Sequence, residues 1–197
     1  MSDDGPQYTS SCLFDERGPL GFRAMFGAAL LRSRSVESAV LRIRLGSVDL
    51  TAREVQGIGR LRILVAEVNA RTVEEEAYAL LMDPSKRQNL VTVLGLLRER
   101  RMEIRSAPLG GWSPDFSVFS GDQGPHTLLL GLHWFRRPFP HRGPAWAARF
   151  GPREAQQAHH RFLELWEGAH DISPAVYRLI GREVHPRTSK WDGDEVG

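Results

Sequence analysis

The stretch "RLRILVAEVNARTVEEEAYALLMDPSKRQNLVTVLGLLRERRMEIRSA", residues 60–107, decides the fold. It opens on "RLRILVAEV", rich in β-branched residues and nearly continuous in its apolar part, which predicts a central strand covered on both faces. Thr72 and Glu75 have the spacing of a capping box and open a helix over "VEEEAYALLM". Asp83 and Pro84 cap and start a longer helix, whose Leu90, Val93, Leu94 and Leu97 make one apolar stripe. "MEIRSA" then follows directly as a strand. Strand, helices and strand in that order predict an α/β fold with a mixed, largely parallel sheet flanked by helices on both faces.

Working outward toward the N-terminus, Thr51 and Glu54 form another capping box before Gly57 and Gly59, so a short helix is expected there. "ESAVLRIRL" alternates, with Val40, Arg42 and Arg44 on one side and Leu41, Ile43 and Leu45 on the other, as in a strand. Pro19 suits the start of a first helix over about residues 19–33. Residues 1–18 are polar and turn-rich and are expected to be a flexible segment. Toward the C-terminus, "FSVFS" and "HTLLLGLHW" read as two strands joined by the turn "GDQGP". "RRPFPHRGP" is a loop, and "AWAARF" is a further short strand. Gly151 and Pro152 open a helix on which Ala155, Ala158, Phe162, Leu165, Trp166 and Ala169 recur at helical spacing. Ser173 and Pro174 start a last helix before a flexible tail at 183–197, leaving a single domain over 19–182.

The composition narrows the function classes. At 41% hydrophobic and 25% charged residues, the 197-residue chain is ordinary for a soluble globular protein. No run of about 18 apolar residues is present and no basic start precedes an apolar run, so membrane spanning and secretion are not expected and the expected address is the cytoplasm. Cys12 is the only cysteine, which excludes an internal disulfide and a cysteine-based metal site; no metal or cofactor is expected. The net charge is +2, yet Lys86 and Lys190 are the only lysines, so the cationic groups are almost all guanidinium forks suited to phosphate or carboxylate. With so small a net charge, a phosphate-binding surface has to be local.

Within the hairpin, Asp115, Ser117 and Asp122 stand at i, i+2 and i+7. With "MEIRSAP" before them, "LLLGLHWF" after them and a helix ending "FLELWEGAHD", the order of elements over residues 20–172 resembles one half of the phospholipase D superfamily. In that superfamily the signature is His-x-Lys-x4-Asp followed by Gly-Ser-x-Asn. Its histidine is the nucleophile, its lysine and asparagine hold the phosphate, and single-copy members pair two motifs as a homodimer. Here Asp115 takes the histidine place and Ser117 the lysine place, with Asp122 retained. Gly131 matches the second signature, but Leu132 and Trp134 replace its serine and asparagine. A carboxylate repels a phosphodiester, and a serine without a base is a poor nucleophile. The resemblance therefore implies a catalytically degenerate relative that binds nucleic acid, DNA or RNA, or another phosphate ligand as a homodimer.

The candidate contacts are arginines. Arg42 and Arg44 share one side of their strand and Arg60 and Arg62 one side of theirs, a possible basic groove that could instead be paired with Glu37, Glu54 and Glu67. Arg136, Arg137 and Arg142 lie in the proline-rich loop with His133 and His141, close in sequence to His126. A histidine nucleophile with arginine clamps there is the alternative: a phosphodiesterase with a rebuilt active site using His133 or His141. A third reading is a structural or regulatory subunit whose cleft is closed by Leu132, Trp134 and Phe135. Adjacent His159 and His160 point about 100° apart and suit packing rather than chelation, and His170 with Asp171 suits helix capping. Neither a Gly-x-Ser-x-Gly elbow nor a glycine-rich phosphate loop is present.

Overall fold

A computed structural model describes residues 12–14, 22–43, 57–107, 116–130 and 145–184. Its strands are β1 (Cys12–Phe14), β2 (Ser35–Arg42), β3 (Arg60–Glu67), β4 (Met102–Ser106), β5 (Phe116–Gly121), β6 (Gly124–Leu130), β7 (Ala145–Phe150) and β8 (His170–Asp171). Its helices are α1 (Phe22–Leu30), α2 (Ala70–Leu81), α3 (Pro84–Arg98), α4 (Pro152–Glu167) and α5 (Ser173–Val184). The sheet has eight strands in the order β1-β7-β6-β5-β2-β3-β4-β8. It is mixed, as expected, but parallel pairing is confined to β2 with β3 and β3 with β4, and all the other described pairs are antiparallel.

Strand alternation divides the side chains between two faces. Leu61, Ile63 and Val65 of β3 are buried with Val36 and Val40 of β2 and Met102 and Ile104 of β4. Against this face pack Phe26, Ala29 and Leu30 of α1, Val73, Ala77 and Leu80 of α2, Leu90, Val93 and Leu97 of α3, and Val176 and Ile180 of α5. The opposite face buries Ala39, Leu64 and Val118 under Ala155, Phe162 and Trp166 of α4, which recur at helical spacing. Phe162 and Trp166 stack at 5.4 Å, and Phe116 meets Phe162 edge-on at 6.5 Å.

The expected capping box at Thr72 is displaced: α2 begins earlier, with the Arg71 amide donating to Asn69 Oδ1 at 3.0 Å, so Asn69 supplies the cap. Pro84 begins α3 as expected. That helix ends in a pair of reversed bonds, Arg100 N to Leu97 O at 3.1 Å and Arg101 N to Leu96 O at 2.9 Å, with Arg100 left-handed at φ 56°. β1 falls in a segment expected to be loop. The expected helix after Thr51 lies outside the described residues.

Candidate functional site

The described part of the Asp115, Ser117, Asp122 constellation does not converge. Ser117 is 1% exposed, and its Oγ lies 2.9 Å from Ser38 Oγ on the face covered by α1, α2, α3 and α5. Asp122 stands in the hairpin turn, 74% exposed, and its Oδ1 accepts from Arg34 Nε at 3.3 Å. Five residue steps along the chain separate the two, a span of roughly 16 Å at the usual strand rise. Asp115 lies outside the described residues, as do His133, His141, Arg44, Arg136, Arg137, Arg142, Leu132, Trp134 and Phe135.

Nor do the described arginines form a groove. β2 and β3 are neighbours in parallel, but the register sets Ser35 beside Arg60, Glu37 beside Arg62 and Arg42 beside Glu67. Arg42 therefore emerges on the face opposite Arg60 and Arg62. Each guanidinium is already matched. Arg42 Nε is 2.5 Å from Glu67 Oε2. Arg60 donates twice to Glu103 Oε1, at 3.1 and 2.8 Å. Arg62 Nη1 lies 3.4 Å from Glu37 Oε1.

The register assembles instead a charged row that the sequence does not show. Glu37 of β2, Arg62 of β3 and Glu103 of β4 lie side by side, with Arg105 on the same face. The carboxylate of Glu37 is buried, and its second oxygen meets His159 Nδ1 of α4 at 2.5 Å. Arg105 lies over the Trp166 ring at 4.6 Å and donates to the Trp166 carbonyl at 2.9 Å, while Arg62 approaches the same ring at 5.8 Å. Burial, and after it the charge of Arg60, hold Arg62 below the ordinary guanidinium range. The Nε groups of Arg62 and Arg105 are buried with no partner among the described residues.

This cluster combines a histidine oriented by a carboxylate with two guanidinium groups holding spare donors. The apolar part of "RLRILVAEV" is covered on both faces as expected, with Leu64 buried under α4, while its first half carries the half-buried Arg62 and exposed Arg60 on that side. Two signals are legible, an acid at position 37 inside the apolar "SVESAVL" and the alternation of Arg60 and Arg62. Their partner His159 is 122 residues from Glu37, so the sequence alone does not join them.

A second histidine also acquires a partner. The register slips between Phe119 and Ser120, pairing Phe119 with Thr127 and Ser120 with Pro125, so His126 is the extra residue of a bulge. Its Nε2 lies 3.3 Å from Ser33 Oγ and its Nδ1 3.0 Å from Thr127 Oγ1. Ser33 already donates its proton to the Ala29 carbonyl at 2.7 Å. The serine can then only accept from His126, which makes Nε2 the protonated nitrogen and leaves no base to activate that hydroxyl. The pair is a latch at the end of α1. Burial, then the charges of Arg32 and Arg149, push the His126 pKa down. His160 is exposed and faces Glu164 at 3.5 Å. Asp171 Oδ1 accepts from Ser173 N at 2.9 Å and so caps the start of α5, rather than the end of the preceding helix where capping was expected.

Among the described residues no helix is long and apolar enough to cross a membrane, and no group of three or more His, Cys, Asp or Glu side chains is placed to hold a metal ion. No protein-family model and no curated protein matches the chain. Among solved structures, it is similar to TrmBL2, described as an archaeal chromatin protein with a novel mode of DNA binding, at 13% identity and a TM-score of 0.45. That likeness covers 87% of this chain and 57% of TrmBL2, so the chain spans little more than half the length of that protein. It is also similar to Nuc from Salmonella typhimurium, a phospholipase D family member, at 13% identity and a TM-score of 0.48, covering 77% of this chain and 90% of Nuc.

Proposed function

We propose that the chain is a phospholipase D-like protein that binds DNA or RNA without cleaving it and acts as a homodimer. The observation that carries the loss of catalysis is the position of Ser117, buried against Ser38 at one end of β5, while Asp122 is exposed at the other. A hydroxyl so buried cannot reach a phosphodiester. Binding is supported by the near-exclusive use of arginine among the basic residues. The phosphate contacts belong to Arg44, Arg136, Arg137 and Arg142 rather than to Arg42, Arg60 and Arg62, whose guanidinium groups are held by Glu67, Glu103 and Glu37.

Fluorescence anisotropy with a labelled single-stranded oligonucleotide tests this reading. Affinity falls steeply between about 50 and 200 mM salt if several phosphates are neutralised. Undetectable binding at low salt refutes it. In parallel, a generic phosphodiester should not be turned over; turnover abolished by Ser117→Ala or Asp122→Ala would overturn the loss of catalysis.

The Glu37–His159 pair favours a second reading, a phosphodiesterase with a rebuilt site. The carboxylate on Nδ1 leaves Nε2 as the basic nitrogen, over the sheet face that carries Arg62 and Arg105. Turnover lost in His159→Gln, with the fold retained by circular dichroism, would establish it in place of the first.

A further inference from the structure

At the β8 edge of the sheet, the C-terminal end of α3 and the first turns of α5 enclose a cavity of about 640 Å³. This lies within the range of small-molecule sites. Leu97, Met102 and Pro174 form an apolar wall, and Tyr177 is 39% exposed at its side.

The charges of this cavity are unevenly spent. One oxygen of each of its two carboxylates is engaged: Glu103 Oε1 accepts twice from Arg60, and Asp171 Oδ1 accepts from the amide and hydroxyl of Ser173. The amides at the start of α5 are also used, Ser173 N by Asp171 and both Ala175 N and Val176 N by the Ile172 carbonyl. Arg98 and Arg100 line the same cavity, are exposed, and have no side-chain partner among the described residues. Two guanidinium groups are therefore the free cationic capacity of this space among its described lining.

Arg100 is also a poor choice for its own backbone. It is left-handed at φ 56°, in the position after a helix where reversed bonds close the last turn and glycine is favoured. Arginine there works against the local conformation and places a cation at the cavity.

We propose that this cavity binds a phosphate monoester carried on an aromatic body of nucleotide size. Arg98 and Arg100 take the phosphate, whose charge near −2 at neutral pH matches theirs. Tyr177 and the apolar wall take the aromatic body. This inference rests on the cavity and is independent of the nucleic-acid reading above.

Calorimetric titration of the full chain with adenosine monophosphate, adenosine and an unphosphorylated oligonucleotide tests it. The monophosphate binds, and adenosine binds at least tenfold more weakly. Arg98→Ala lowers the affinity for the monophosphate, and Arg100→Gly lowers it at least tenfold while leaving Tm unchanged or raised, a combination that loss of folding cannot produce. Equal affinity for monophosphate and adenosine, no binding of either, or full affinity in Arg100→Gly overturns the proposal. Competition by the unphosphorylated oligonucleotide overturns the monoester assignment. Competition confined to a 5′-phosphorylated oligonucleotide identifies a polymer end as the source of the monoester, and none identifies a free nucleotide; both keep the site.

Discussion

Ser117 Oγ and Ser38 Oγ face each other at 2.9 Å between β5 and β2, and both side chains are buried. The Ser117 hydroxyl is thus a cross-strand tie. Ser117→Ala should cost about 1 kcal/mol in urea denaturation, and a double-mutant cycle with Ser38→Ala should give a coupling of about 0.5 to 1 kcal/mol. Oligonucleotide affinity should be unchanged. Weakened affinity with normal stability would return Ser117 to the binding site.

The two oxygens of Glu37 serve both Arg62 and His159. Glu37→Ala strips the half-buried Arg62 guanidinium of its counter-charge and should destabilise by about 3 kcal/mol. Arg60→Ala, at an exposed pair with Glu103, should cost about 1 kcal/mol or less. Equal costs for the two would show that the charged row is not a buried network.

His126 gives the protein a pH dependence with a definite sign. Its folded-state pKa is pushed below the ordinary value of 6.5, so the neutral ring is favoured by folding. Stability is full above that value and declines as pH falls from it toward the lower folded-state pKa. The denaturation midpoint should drop between about pH 7.5 and 5.5, and His126→Gln should remove part of that drop. A midpoint insensitive to His126→Gln would exclude this residue as the cause.

The arginines separate by their partners. Alanine at Arg136, Arg137 or Arg142 should weaken oligonucleotide binding and reduce the salt slope by about 1 for each phosphate that is no longer neutralised. Alanine at Arg42 or Arg60 should leave both unchanged. The reverse outcome would place the binding surface on the sheet.

What is legible in the sequence is local. The apolar periodicities of 60–67, 84–98, 116–121 and 152–167 survive as β3, α3, β5 and α4 because their buried positions are set by near neighbours along the chain. The start of α2 is misplaced by sequence reasoning because Asn69 and Thr72 are both competent caps and only backbone geometry chooses between them. β1 is invisible there, since "CLF" is a three-residue strand with no period of its own and exists through pairing with Ala145–Ala147. The proportion of parallel pairs is overestimated, because alternation shows that a segment is a strand and not how it runs beside its partner. The charged row is beyond reach for the same reason: the neighbours of Glu37 are decided by register and by a helix contributed from far along the chain.

The placement of α5 has a consequence for synthesis. Val176 and Ile180 complete a core whose other walls come from α2, α3, β3 and β4, all made earlier by the ribosome. Until Ser173–Val184 has emerged, the apolar stripes of α2 and α3 lack their last cover. Nascent chains halted before Ser173 should therefore be held as an incompletely closed, chaperone-dependent intermediate, and release of α5 should be the event that makes the native state accessible.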